Sequence, residues 1–163
     1  MIIKKADIKQ LDNIMILIKD AVEDMMLNGI EQWDHIYPNV EVIKKDIEDG
    51  SLYIYVEEDI IKGIIVLNKT QDIEYEDLIW QVKDRFAVIH RLCVNPKYQG
   101  AGIAKALIKY VEKRAKDNKF KSIRLDAFIK NTKACSMYEK RGFKKVGTIR
   151  LRKGEFYCFE KKL

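Results

Sequence analysis

Two prolines, three cysteines and two histidines are all that 163 residues hold of the types that most often break, staple or ligate a chain. With so little proline and no serine- or glycine-rich tract, the chain is neither a flexible linker nor a disordered region. Its 47% hydrophobic and 34% charged residues suit a folded protein with a buried core. The cysteines, at 93, 135 and 158, are odd in number and lack a CxxC pair, which excludes a disulfide framework and reads as reduced thiols. Together with His35 and His90 they are too scattered for a zinc site, so no metal is expected. Long apolar runs are missing too. Those near 14–18 and 64–67 are too short to cross a bilayer, and the opening MIIKKADIKQ lacks the apolar core and cleavage site of a secretion signal. The expectations are a cytoplasmic protein, no membrane partner and one domain over 1–163.

What the chain has in excess is positive charge, a formal +6 with a pI of about 9.1. Lysines and arginines cluster over 105–121 and again over 140–153. Solvated helix faces account for such clusters, and so does attraction to an anionic ligand, nucleic acid or a phosphorylated cofactor. Charge alone does not choose.

Hydrophobic spacing supplies the elements. Residues 2–6 read as a short strand. Asp7 then caps a helix with Ile8, Leu11, Met15, Ile18, Val22 and Met25 on its inner face, ended by Asn28-Gly29. Asn39 caps a second helix with Val40, Ile43 and Ile47 inward, closed by Gly50. Strands follow at 52–57 and 60–67 around a Glu58-Asp59 turn, and a long one at 86–94; residues 70–84 receive no assignment. A helix over 102–118, a strand over 122–128, a helix over 132–140 between Asn131 and Gly142, and strands at 143–146 and 156–161 complete the chain. The order predicts an α+β fold, an α/β-type mixed sheet of six to seven strands flanked by about four helices.

Between the strand at 86–94 and the helix after it stands Val94-Asn95-Pro96-Lys97-Tyr98-Gln99-Gly100-Ala101-Gly102-Ile103-Ala104-Lys105. Glycines there allow a tight turn and let a bulky anion approach the helix's orphan N–H groups without meeting a Cβ, the makings of a phosphate site. A plain strand-to-helix turn would use the same glycines. The P-loop is excluded because Ala106, not Ser or Thr, follows Lys105, and the dinucleotide fingerprint because lysine stands where its third glycine belongs.

Gln99-Gly100-Ala101-Gly102-Ile103-Ala104 resembles the acyl-CoA-binding pattern [QR]-x-x-G-x-[GA] of the GNAT superfamily of N-acyltransferases. Downstream, Asn131-Thr132-Lys133-Ala134-Cys135-Ser136-Met137-Tyr138-Glu139-Lys140-Arg141-Gly142-Phe143 is similar to that family's N-x-x-A-x-x-x-Y-x-x-x-G-F. The order of elements matches as well, so the resemblance covers nearly the whole chain.

The resemblance implies an acetyl-CoA-dependent N-acetyltransferase acting on an amine-bearing small molecule or peptide. It implies that the backbone of 99–105 (Gln99, Gly100, Ala101, Gly102, Ile103, Ala104, Lys105) holds the pyrophosphate of coenzyme A, with Lys105 and Lys109 near its phosphates. The strand before it would splay at a bulge. Leu92, Cys93 and Val94 would then offer main-chain groups to the pantetheine arm, and Asn131 and Ala134 would border that arm. Tyr138 takes the position of the general acid that protonates the leaving thiolate. The base is left open between Asp126, His90 and a chain of water. Trp33, Tyr37, Asp34 and Glu31, in the loop between the first two helices, either wall the acceptor pocket or, for the two aromatics, staple that loop to the core.

Tyr138, Asp126 and His90 together favour an enzyme over the other reading of the motifs, a non-catalytic CoA-binding regulator. Nucleic acid is not expected, since 25 acidic residues are interspersed and no aromatic-studded basic strand is present. Members of this family often form homodimers, so that state is among the expectations.

Overall fold

The structure, a computed structural model, describes residues 1–163. Along the chain run β1 (Ile2–Lys5), α1 (Leu11–Leu27), α2 (Val40–Glu48), β2 (Leu52–Glu57), β3 (Ile60–Asn68), β4 (Phe86–Val94), α3 (Ile103–Asp117), β5 (Ser122–Phe128), α4 (Thr132–Lys140), β6 (Lys144–Leu151) and β7 (Gly154–Lys162). The seven strands make a mixed sheet in the order β1-β2-β3-β4-β5-β7-β6, the α+β architecture expected. Two compact units divide the chain: Met1–Leu67 with Arg91–Val111, and Asn68–His90 with Glu112–Leu163. No helix is long and apolar enough to cross a membrane.

In the first unit, Asp7 accepts the Lys9 N–H while the Gln10 side chain accepts the Asp7 N–H. This reciprocal cap starts the turn that leads into α1. Ile14, Leu17, Ile18, Ala21 and Val22 form the buried stripe of α1. Asn39 caps α2 through the Val42 N–H; Ile43 and Ile47 are buried, while Val40 is exposed because it opens the helix a turn before the packed stripe. β2 and β3 pair antiparallel through Leu52↔Val66 and Ile54↔Ile64, and these four join α1 and α2 in one apolar core. Glu58 and Asp59 both take left-handed φ (52° and 59°), the geometry a two-residue hairpin turn needs. At Gly63 of β3 an added Cβ would lie 2.9 Å from Ile103 Cγ2 and 3.1 Å from Leu107 Cδ1. Glycine there lets the start of α3 lie close on β3.

In the second unit, β5 pairs antiparallel with β7 from Ser122↔Lys162 to Phe128↔Phe156, and Asp126 stands opposite Cys158. β6 and β7 form a longer hairpin than the strands expected at 143–146 and 156–161, because β6 is the last strand of the sheet. An edge strand buries one face only, and its polar outer residues look like loop in the sequence.

Residues 70–84 contain one short 3-10 turn, Ile73–Asp77, and are otherwise irregular. Side chains order them. Arg124, buried, donates from Nη1 to Gln71 Oε1 (2.7 Å) and from Nη2 to the Val82 carbonyl (2.7 Å). Its guanidinium lies 4.2 Å from the Trp80 ring centre and 3.6 Å from that of Phe86. The Glu160 carboxylate accepts the N–H groups of Gln81 (2.9 Å) and Val82 (3.1 Å), and Trp80 Nε1 donates to the Tyr75 carbonyl (2.7 Å). The stretch is a strap latched by a buried cation and a buried carboxylate.

Candidate active site

In the first unit, Arg91 interrupts the extended run of β4 with φ 50°, a left-handed turn uncommon for a residue other than glycine. Its guanidinium holds it there. Nε and Nη2 donate to the two oxygens of buried Asp46 (2.7 and 2.8 Å), and Nη1 donates to the Tyr37 hydroxyl (2.6 Å). Leu92, Cys93 and Val94 complete the strand, and the Asn95 N–H reaches the Lys62 carbonyl of β3 (2.9 Å). Burial pushes the Cys93 thiol up to about 12, so it is a packing group and no nucleophile.

The chain then turns through Pro96–Tyr98, where the Asn95 side chain accepts the Lys97 N–H. Gly100 and Gly102 follow with φ 82° and 80°. The first bond of α3 joins the Ala106 N–H to the Gly102 carbonyl (3.0 Å), so the N–H groups of Ile103, Ala104 and Lys105 are the orphan donors of that helix. A Cβ at Gly100 or Gly102 would meet nothing within 4 Å, and Gln99, Gly100, Ala101 and Gly102 are all exposed. Buried Ile103 and Leu107 anchor the helix from below; Lys105 and Lys109 are exposed. An open face of unpaired N–H groups at the positive end of a helix has the chemistry a diphosphate requires.

The acceptor-side loop lies in the same unit. Trp33 is 7% exposed and packs in the core with α1 and α2, the placement expected of an aromatic that staples the loop to the core. The indole supplies more apolar area than any neighbour in that loop and is drawn inward. Asp34 Oδ1 accepts the N–H groups of Ile36 and Tyr37, both at 3.0 Å, and so shapes the loop. Tyr37 keeps its ring at the surface while its hydroxyl is tied to Arg91, and Glu31 is exposed.

In the second unit, β4 pairs in parallel with β5 from Phe86↔Ser122 to Val88↔Arg124. His90 lies beyond that ladder. Its Nε2 is 3.0 Å from Asn68 Oδ1 and 2.8 Å from the Thr70 carbonyl; a carbonyl only accepts, so Nε2 bears the hydrogen and ties down the end of the strap. Asp126, half-buried on β5, accepts a 2.6 Å hydrogen bond at Oδ2 from the hydroxyl of Tyr75, a residue of the strap. Tyr138 is buried on α4, with its ring edge-on to Phe143. Burial first, then the charge of Asp126 and then Cys135, hold its hydroxyl's proton well above the ordinary phenol range. Burial and the same Asp126 charge raise Tyr75 and Cys158. Asn131 Oδ1 caps α4 at the Ala134 N–H (3.1 Å), and Cys135, buried, donates its thiol to the Phe128 carbonyl.

The second unit thus brings Asp126 and Tyr138 into one electrostatic field and commits His90 to the strap. Three residues of these constellations escape sequence reasoning. Asp46 looks like an ordinary helix carboxylate, Arg91 like a strand residue, and Tyr75 stands 51 residues from its partner. None has a local signature.

The model of the acetyltransferase (GNAT) family matches residues 18–143. A streptothricin acetyltransferase of Escherichia coli is 31% identical over 97 residues, covering 59% of this chain and 48% of that protein, so the match spans about half the length of that relative. Among solved structures, a GNAT-family acetyltransferase of Streptococcus agalactiae superposes with a TM-score of 0.88 at 23% identity, covering 99% of this chain and 95% of that one. The PaiA N-acetyltransferase of Thermoplasma acidophilum, solved with coenzyme A, superposes with a TM-score of 0.79 at 21% identity, covering 99% and 98%. These two structures share the fold.

Proposed function

Because the chain belongs to the GNAT acetyltransferase family, whose cofactor is acetyl-CoA, we propose that it moves an acetyl group from acetyl-CoA to a primary amine on a small molecule or a peptide N-terminus. The observation that carries this reading is the corner at Gly100 and Gly102, left-handed at both glycines and open above the orphan N–H groups of α3. The N–H groups of Gly100 and Gly102, with the orphan N–H groups of Ile103, Ala104 and Lys105, hold the diphosphate. Leu92, Cys93 and Val94 border the pantetheine with their main chain, and Asn131 and Ala134 contact it. Acetyl-CoA, when bound, supplies a thioester carbon activated toward an amine.

Tyr138 is the donor to the leaving sulfur. Its raised proton affinity keeps it a phenol across the working pH range. A thiol of pKa near 8.5 is the stronger acid, so Tyr138 works mainly by hydrogen-bonding the sulfur as it gains charge. An ammonium acceptor loses two protons in becoming an amide, the sulfur takes one, and the other leaves to solvent. Asp126 receives the first of these protons. It is favoured over His90 because its charge acts on Tyr138, whereas the imidazole of His90 is held at Asn68 and Thr70. Tyr37, Asp34 and Glu31 border the acceptor. Three free, buried cysteines suit a cytoplasmic setting.

The test is release of CoA thiol from acetyl-CoA in the presence of polyamines, amino acids, aminoglycosides and peptide N-termini. At least one acceptor should give turnover, and Tyr138→Phe should lower kcat by about 100-fold or more with the KM for acetyl-CoA little changed. Binding of CoA with no amine-dependent thiol release across the panel would contradict the reading.

A further inference from the structure

Tyr75 is fully buried, and a buried phenol needs a partner for its hydroxyl. The partner it has is the half-buried carboxylate of Asp126, at 2.6 Å. The residue that delivers this hydroxyl rides on the strap, which owes its order to side-chain latches: Arg124 stacked between Trp80 and Phe86, Glu160 on the N–H groups of Gln81 and Val82, and the Trp80 indole on the carbonyl of Tyr75 itself. The Tyr75 and Trp80 rings also stack, with centres 5.3 Å apart. Backbone and ring of Tyr75 are therefore both held while its hydroxyl meets Asp126.

We infer that Tyr75 is a positioning residue for acetyl transfer, its hydroxyl fixing the Asp126 carboxylate in the orientation that receives the acceptor's proton. The inference rests on Asp126 acting as the base. Among the groups that act on Asp126 are Tyr75 from the strap, Tyr138 from α4 with Cys135 beside it, and Cys158 from β7; Asp72 of the strap lies near Tyr75 and Cys158. The two phenols and the Cys158 thiol keep their protons at neutral pH, so the Tyr75 hydroxyl is a hydrogen-bond donor to this carboxylate throughout the range in which the carboxylate titrates. A hydrogen bond to the ionised form favours that form. Losing it makes Asp126 hold a proton to higher pH, where it cannot accept another.

The experiment uses the full chain, acetyl-CoA and the best acceptor of the amine panel, and records kcat/KM against pH for wild type, Tyr75→Phe and Asp126→Asn, with thermal melts of each. Tyr75→Phe should move the midpoint of the acidic limb up by about one pH unit, a tenfold loss on that limb that fades as pH rises. Asp126→Asn should abolish the limb. Site-specific 3-fluorotyrosine at position 75, a stronger donor of the same shape, should move the midpoint down, and this variant serves if Tyr75→Phe melts too low to assay. An unmoved limb in the position-75 proteins, with Asp126→Asn inactive, overturns the role of Tyr75 and leaves Asp126 as base. An Asp126→Asn protein that keeps both rate and limb overturns the base and the inference with it.

Discussion

Replacing Gly102 by alanine separates two reasons a glycine can stand at a strand-to-helix turn. Gly102 has φ 80°, and a Cβ there would meet no atom within 4 Å, so Gly102→Ala brings no clash. What it brings is left-handed strain of about 1–2 kcal/mol, which for a chain of this size lowers Tm by roughly 2–8 °C. Its methyl would also enter the open space at the start of α3 through which a bound diphosphate would approach. Loss of one charge-assisted hydrogen bond to a phosphate costs about 1.5–3 kcal/mol, a ten- to hundredfold weaker Kd for CoA. Gly29→Ala is the control, since Gly29 ends α1 with φ 71° and equally open surroundings. Thermal melts and calorimetric titration with CoA should show both variants similarly destabilised and only Gly102→Ala weakened for CoA. Equal, wild-type CoA affinity in the two proteins would mean that Gly102 serves the turn alone.

Three further outcomes follow from the same geometry. Gly63→Ala forces a Cβ against Ile103, Leu107 and the Cys93 carbonyl; overpacking of this kind costs about 1–3 kcal/mol, and a chemical denaturation midpoint unchanged from wild type would contradict the close approach of α3 to β3. Arg124→Leu removes the charge-assisted hydrogen bonds to Gln71 and Val82, at a cost of about 1.5–3 kcal/mol each; proteolysis within 70–84 should rise more than elsewhere, and uniform sensitivity would refute the latch. The Cys93 thiol is raised from 9.0 to about 12 by burial. An acid raised in the folded state contributes stability below its unfolded pKa and loses it as pH climbs to the folded value. Between pH 9 and 12 the wild type should therefore lose up to about 4 kcal/mol more stability than Cys93→Ala, a constant difference over that window being the contrary result.

Where the sequence was legible, a local rule governed the backbone. α4 begins and ends where Asn131 and Gly142 say, because a side-chain cap and a left-handed glycine act on their own neighbours. β4 spans the expected 86–94, and the glycine corner has the dihedrals its motif implies, for the same reason. The strap was illegible because its anchors, Arg124 and Glu160, lie about 40 to 80 residues along the chain from what they hold. Composition cannot show which of several aromatics a core will claim, so the sequence left Trp33 and Tyr37 alike, whereas the structure buries the first and leaves the second at the surface. The full extent of β6 and β7 was masked by the polar outer face of an edge strand. In the candidate site the split falls in the same place: Asp126 and Tyr138 are visible through motif positions, whereas Tyr75, Arg91 and Asp46 act through contacts between residues distant in sequence.

The central claim is that the backbone amides opening α3 bind a diphosphate. An amide-resolved NMR titration of the intact protein with coenzyme A tests it directly. The N–H resonances of Gly100, Gly102, Ile103, Ala104 and Lys105 should shift together and saturate at one Kd. Shifts confined to other amides, or none at millimolar coenzyme A, would contradict it.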